Sequence, residues 1–296
     1  FRRVLFRSRP IRVRVMSVDV RPLTGVMAAE VRGVDLAHID DVELAEIRRL
    51  ACEHEVLVVR DQSLTPATQS SFSDRLGPSA ETPFVETMGD HPRVIRVVKE
   101  ADEGAAFNFG GAWHSDFSFL DHPPSFTILS AVDLPPWGGD TVFASMTAAW
   151  RALPPQMQER LKTFDAVHTA RDAYSRRMQP LHSGMRNMNI VCDDSANDVR
   201  RHPLVTTHPE TGRTVLFFNR AYVRDLVGPN ADEVDALLDF LHHHSTDARF
   251  QYRHRWRPGD VVIWDNRSTQ HNAINDYAGF RRELHRTTIE GTTPCR

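Results

Sequence analysis

Apolar and polar positions along the chain change period many times, and short periods dominate. Residues 17–35 alternate loosely around Gly25 and Gly33 and predict short strands. Glu55-Val-Leu-Val-Val-Arg60 is a compact buried-strand pattern. Val94-Ile-Arg-Val-Val98, Ser125-Phe-Thr-Ile-Leu-Ser-Ala-Val132 and Asp140-Thr-Val-Phe-Ala-Ser145 also read as strands. Residues 204–208 and 215–218, joined by Pro209-Glu-Thr-Gly212, predict a hairpin; further strands follow at 250–256, 260–264 and 281–289. Helical spacing is rarer. It covers 41–53, with Asp40 or Asp41 as N-cap, and the stretch from Thr65 to Gly77, where Thr65 caps, Pro66 opens and Gly77 ends the helix. Residues 147–164 read as a helical insertion that Pro154-Pro155 breaks or restarts. The helix of 231–244 begins with acids and ends in His242-His243-His244, the order a helix dipole favours. Residues 168–200 are polar and weakly periodic, the signature of a lid or a disordered loop. The sum is a mainly β single domain with helical insertions, a β-sandwich or jelly roll.

Composition changes this picture little. At 296 residues, 41% hydrophobic and 25% charged, the chain can bury a sizeable core, and its formal charge of −3 gives no support for a nucleic-acid partner. No apolar stretch approaches the roughly 20 residues that span a bilayer. Cys52, Cys192 and Cys295 are odd in number and lack CxxC spacing, so a disulfide framework is not indicated and a reducing cytoplasm is the natural compartment. The first fifteen residues hold six Arg and no acid. They are expected to be a non-native or disordered extension ahead of a start at Met16, leaving residues 16–296 as the domain.

Candidate chemistry centres on Gly111-Ala-Trp-His-Ser-Asp-Phe-Ser-Phe119. On a strand, His114 and Asp116 would point to one face and could grip one ion. His271, in Asn266-Arg-Ser-Thr-Gln-His-Asn272, can supply the third ligand, and two imidazoles with one carboxylate form the facial triad of non-haem Fe(II) sites. A second His-x-Asp pair, His38-Ile39-Asp40, is better read as a helix cap. At period two, Arg282, Leu284 and Arg286 share one face of the last strand while Arg281, Glu283 and His285 share the other. Two inward arginines would need a bound anion or a dicarboxylate; the alternative is that Glu283, or an acid on a neighbouring strand, pairs with an exposed Arg.

His114-x-Asp116 … His271 … Arg282, with Trp137-Gly-Gly-Asp-Thr141 between, resembles the Fe(II)/2-oxoglutarate-dependent dioxygenases of the taurine dioxygenase (TauD/TfdA) family. The likeness runs from about residue 21 to 293 and includes Ala29-Glu-Val-Arg-Gly-Val-Asp-Leu36, His208-Pro-Glu-Thr-Gly212 and the stretch from Trp264 to His271. The resemblance implies a double-stranded β-helix, a cupin-like jelly roll. It also implies Fe(II) held by His114, Asp116 and His271, and 2-oxoglutarate anchored by Arg282 and Thr141. Trp264 would lie near the metal, and Arg286 would meet an acidic group of the prime substrate. The implied reaction consumes O2 and 2-oxoglutarate, yields succinate and CO2, and hydroxylates an unactivated C–H bond of a small anionic molecule. No nucleic acid or membrane partner is implied, and relatives suggest a homo-oligomer, either dimer or tetramer.

Two departures bear on the substrate. The His and Asn that recognise the sulfonate in the taurine enzyme align with Thr82 and Gly110, so taurine itself is not expected. Phe107, Phe109, Phe117 and Phe119 can build an aromatic wall, with Phe117 expected to meet the substrate and most of the others to pack the core. A non-catalytic jelly-roll binding protein and a metal-dependent hydrolase using the same triad are the alternatives; a decayed site need not keep all of His114, Asp116, His271, Thr141 and Arg282, and the hydrolase leaves Arg282 and Thr141 without a task.

Overall fold

The structure, a computed structural model, describes residues 18–104 and 108–296. The expectations for residues 1–15 and for Phe107 lie outside the described residues. The strands are β1 (Asp19–Pro22), β2 (Ala29–Arg32), β3 (Val56–Val59), β4 (Ile95–Lys99), β5 (Phe126–Asp133), β6 (Thr141–Ser145), β7 (Asp165–Thr169) and β8 (Val199–Pro203). They continue with β9 (Val205–Thr207), β10 (Thr214–Leu216), β11 (Val223–Val227), β12 (Gln251–His254), β13 (Val261–Asp265), β14 (Thr269–Ala273) and β15 (Arg282–Ile289). The main sheet runs β1-β2-β3-β13-β5-β15-β4, antiparallel except for the β2–β3 pair. A smaller sheet, β12-β6-β14, packs on it; β11-β7-β8 and the β9–β10 hairpin stand apart.

Strand alternation sorts the core into two layers. Val56 and Val58 of β3, Leu129 of β5, Val262 and Trp264 of β13 and Leu284 of β15 face inward and meet Phe143 of β6. Their neighbours Leu57, Val59, Ile128, Val261 and Ile263 face outward, where α1 (Asp41–His54) and α2 (Pro66–Leu76) cover them with Ile47, Leu50, Phe72 and Leu76. With both faces covered, β3 and β13 read as near-continuous apolar runs, which is how the sequence showed them. Both helix starts follow their predicted chemistry: Asp40 caps α1 and Thr65 caps α2, each in a capping box, with Pro66 opening α2 and Gly77 closing it.

Residues 147–164 form α3 (Met146–Arg151) and α4 (Pro155–Leu161), the second opened by Pro155. The weakly periodic stretch of 168–200 is corrected from a loop to short ordered elements. It holds the end of β7, α5 (Arg171–Tyr174), α6 (Gln179–His182), two 3-10 turns and the start of β8. Tyr174, Met188 and Ile190 anchor it in a cluster with Phe117, Phe119 and Tyr222. The three histidines end α7 (Val234–Ser245) as the dipole argument requires.

Glu55 is buried just past the end of α1 with φ 66°, and burial pushes its carboxyl up to about 7. Its folded value exceeds the ordinary 4.5, so its contribution to stability is fully present below about pH 4.5 and is lost as pH rises through about 7. Glu55→Gln is therefore expected to gain up to about 3 kcal/mol on the parent between pH 5 and pH 8.5. Urea unfolding at both pH values measures it; parallel curves would remove Glu55 from the pH response.

Candidate functional site

The three predicted ligands converge between the two sheets, and two of them are paired through the backbone. His114 N–H donates to His271 O at 3.0 Å and His271 N–H to His114 O at 2.7 Å, a single antiparallel bridge at the edge of β14. The expectation of a strand through 114–116 is corrected here: His114 makes only this bridge, and Asp116 begins a turn in which Phe117 takes φ 45°. The turn achieves what the strand was invoked for. Asp116 Oδ1 lies 3.6 Å from His114 Nε2 and 3.9 Å from His271 Nε2, and all three side chains are buried.

Each group is held in a ligating state. His114 Nδ1 lies 2.7 Å from Ala112 O, so it donates there and Nε2 is left as the free lone pair. Burial, then the neighbouring His114, lowers the His271 imidazole to about 3, which keeps it neutral. Burial is the largest single influence on Asp116 and resists its ionisation, yet the Arg286 guanidinium and the His271 and His114 rings together outweigh it and hold the carboxyl well below the usual carboxylate range. Two imidazoles and one carboxylate on a buried face fit a divalent first-row metal with open positions.

Behind Asp116 runs a chain of hydrogen bonds that sequence reading missed. Thr127 Oγ1 donates to Asp116 Oδ2 at 2.7 Å, and Asn266 Nδ2 donates to Thr127 Oγ1 at 2.8 Å. Asn266 Oδ1 accepts from Trp264 Nε1 at 2.9 Å and from Asp116 N–H at 3.3 Å. Trp264, expected near the metal, packs its ring 4.8 Å from the His271 ring and spends its N–H on Asn266. Asn266 stood in the quoted motif; Thr127, a polar residue on the inward face of an apolar strand, was the available signal.

A small cavity extends from His114 and His271 to Thr141, Trp264 and Arg282. Arg282 is buried, its Nε has no hydrogen-bond partner, and no carboxylate among the described residues pairs with it. Burial lowers its basicity. Thr141 Oγ1 accepts from Trp256 Nε1 at 3.1 Å and faces Arg282 Nη2 at 3.5 Å, which leaves its own hydrogen to donate. The Gly138-Gly139 turn closes the end: both residues have positive φ, and a Cβ on Gly139 would fall 3.0 Å from Arg282 Cδ. An enclosed cation beside a free hydroxyl fits a carboxylate.

A second cavity of about 410 Å³ opens on the other side of His114 and Asp116. Phe109, Phe117, Tyr174, Leu181 and Tyr222 give it apolar walls, and Arg286 projects into it. Arg286 donates to Asp116 Oδ1 at 3.3 Å and lies 5.0 Å from the Phe117 ring, while its Nε and Nη2 have no partner. Phe119 packs behind, against Tyr222. On the opposite face of β15, Glu283 pairs with Arg96, Arg281 and His285. The two faces of the arginine-rich strand thus differ: three basic side chains surround Glu283 on the outer one, while on the inner one Arg286 meets Asp116 and Arg282 meets no carboxylate among the described residues.

Cys52, His208 and Asp265 also converge, but Arg267 fills the space, 2.6 Å from Asp265 Oδ2 and 3.4 Å from Cys52 Sγ. Burial pushes the thiol up to about 12, so this cluster is an ion-pair network. No helix among the described residues is long and apolar enough to cross a membrane.

Comparison with known proteins agrees with this geometry. Residues 19–288 match the family model described as taurine catabolism dioxygenase TauD, TfdA family. The chain is 34% identical over 297 residues to an α-ketoglutarate-dependent 2,4-dichlorophenoxyacetate dioxygenase of Cupriavidus pinatubonensis, covering 92% of this chain and 98% of that protein. It is 30% identical over 281 residues to an α-ketoglutarate-dependent sulfate ester dioxygenase of Pseudomonas putida, covering 94% and 91%. The crystal structure of a taurine dioxygenase from Burkholderia xenovorans superposes with a TM-score of 0.78 at 31% identity, covering 94% of this chain and 92% of that one. The chain belongs to the TauD/TfdA family and is an Fe(II)- and 2-oxoglutarate-dependent dioxygenase with the family's jelly-roll fold.

Proposed function

We propose that the enzyme hydroxylates a small organic anion with an apolar or aromatic body, held in the 410 Å³ cavity with its charged group on Arg286. The observation that carries this is the pair of unpartnered, buried N–H groups of Arg286 opening on a cavity with aromatic walls. The names of the relatives, which act on a sulfate ester and on a phenoxyacetate, support the same class.

In this reading His114, Asp116 and His271 hold Fe(II), and Arg282 with Thr141 receives the distal carboxylate of 2-oxoglutarate. When bound, the iron supplies dioxygen activation, which couples oxidative decarboxylation of the 2-oxo acid to attack on a C–H bond. The protein supplies placement. Arg282 and Arg286 stand four residues apart on one face of β15, about 13 Å along the strand, so each marks one ligand's charged end. Between them the C–H bond to be attacked is brought to the triad. Phe117 packs on the Arg286 guanidinium and keeps water from it. The segment of 171–182 covers the cavity through Tyr174 and Leu181 and acts as its lid.

Arg286→Gln is expected to lower kcat/KM for an anionic substrate about 100-fold, the worth of two charge-assisted hydrogen bonds at roughly 1.5 kcal/mol each. Binding of 2-oxoglutarate should change much less, and only through the contact of Arg286 with Asp116 and the border it shares with the smaller cavity. Succinate release across alkyl sulfates, sulfonates and aryloxyalkanoates measures the first, anaerobic titration the second. Equal turnover by parent and variant on every active anion would sink the assignment of Arg286.

A further inference from the structure

We propose that Thr127 is a positioning residue that restricts Asp116 to one-oxygen ligation, so that the metal keeps the coordination positions 2-oxoglutarate needs. The proposal rests on the dioxygenase reading and on the direction of four hydrogen bonds.

Trp264 Nε1 can only donate, so the Asn266 atom 2.9 Å away is the amide oxygen and the opposite atom is the NH2. That NH2 donates to Thr127 Oγ1 at 2.8 Å. The single hydroxyl hydrogen of Thr127 is then directed to Asp116 Oδ2 at 2.7 Å. No member of the chain has a free choice of direction, and Thr127, Trp264 and Asn266 are all buried. Asn266 Oδ1 also takes the Asp116 backbone N–H at 3.3 Å, tying both ends of the residue to one amide.

The two carboxylate oxygens are therefore unequal. Oδ2 is engaged by a charge-assisted hydrogen bond on the side away from the imidazoles. Oδ1 faces both Nε2 atoms and accepts a longer hydrogen bond from Arg286 at 3.3 Å. A carboxylate free to rotate could offer both oxygens to the metal and fill a position that a chelating 2-oxo acid requires. The Thr127 hydroxyl opposes that rotation.

The test uses the anaerobic full-length protein with Thr127→Val, which keeps shape and removes the hydroxyl, Thr127→Ala and Thr127→Ser. Near-ultraviolet circular dichroism checks folding, Mn(II) titration reads the metal site alone, and the visible charge-transfer band of the Fe(II) form reads 2-oxoglutarate chelation. Val and Ala variants should bind Mn(II) within about threefold of the parent and 2-oxoglutarate at least tenfold more weakly. Serine should restore chelation to within about threefold. If the Val variant does not fold, the Ala variant decides. Parent-like chelation in the Val or Ala variant overturns the proposal, as does an equal loss of Mn(II) and 2-oxoglutarate affinity, which marks a merely structural role. Absence of the band in the parent itself overturns the dioxygenase reading and this proposal with it.

Discussion

Asp116→Ala is expected to abolish 2-oxoglutarate turnover, with a loss of at least about 1,000-fold, because it removes the one charged member of the donor set. Partners that only orient metal ligands are worth about 10–100-fold, so a ligand must exceed that range. The substitution also strands Arg286, whose guanidinium lies 3.3 Å from Asp116 Oδ1 in a buried site. Leaving such a charge uncompensated costs about 3–5 kcal/mol. Lost stability and lost ligation must therefore be separated. Asp116→Asn strands the guanidinium as well, but it retains the shape and an acceptor for Thr127, so it removes the charge and the carboxylate without opening a cavity. Metal titration of both variants at a temperature where they remain folded is the measurement. Full turnover in either variant would end the assignment of Asp116 as a ligand.

Arg282→Leu should move affinity and stability in opposite directions. The guanidinium is buried, its basicity is already lowered by burial, and no carboxylate among the described residues meets it. In the absence of 2-oxoglutarate the arginine is a cost, and an apolar residue of similar reach should leave the thermal midpoint unchanged or raise it. In its presence, loss of a forked charge-assisted pair should raise the 2-oxoglutarate KM at least about 100-fold. Metal binding by His114, Asp116 and His271 should stay within a few-fold. A fall in midpoint together with parallel loss of metal and 2-oxoglutarate would instead give Arg282 a folding role.

The parts of the fold legible beforehand were those where one residue type does one local job. Asp40 and Thr65 at helix starts, Gly77 at a helix end and the two-residue period of β15 all read correctly. The triad was legible as a set of donors, but its geometry was not. Aromatic, β-prone neighbours suggested a strand at 114–116, whereas the backbone turns, with Phe117 at positive φ. β14 was missed because its residues serve the site and its surroundings: Thr269, Gln270, His271 and Asn272 leave no apolar alternation to see. β7, β8 and β11 are short and polar, and their partners lie far along the chain. Tyr174 and Tyr222 gave no periodic signal, since what places them on the cavity is the tertiary packing of 168–200.

The backbone bridge between His114 and His271 joins the two halves of the chain at the proposed metal site. Two ligands lie near residue 115, but the third comes at 271, and Arg282 and Arg286 come later still on the final strand. A ribosome-bound chain with only its first half emerged offers a cation two side chains and no anchor for the 2-oxo acid. The strand that joins β4 to β5 is also the one that carries both inward arginines.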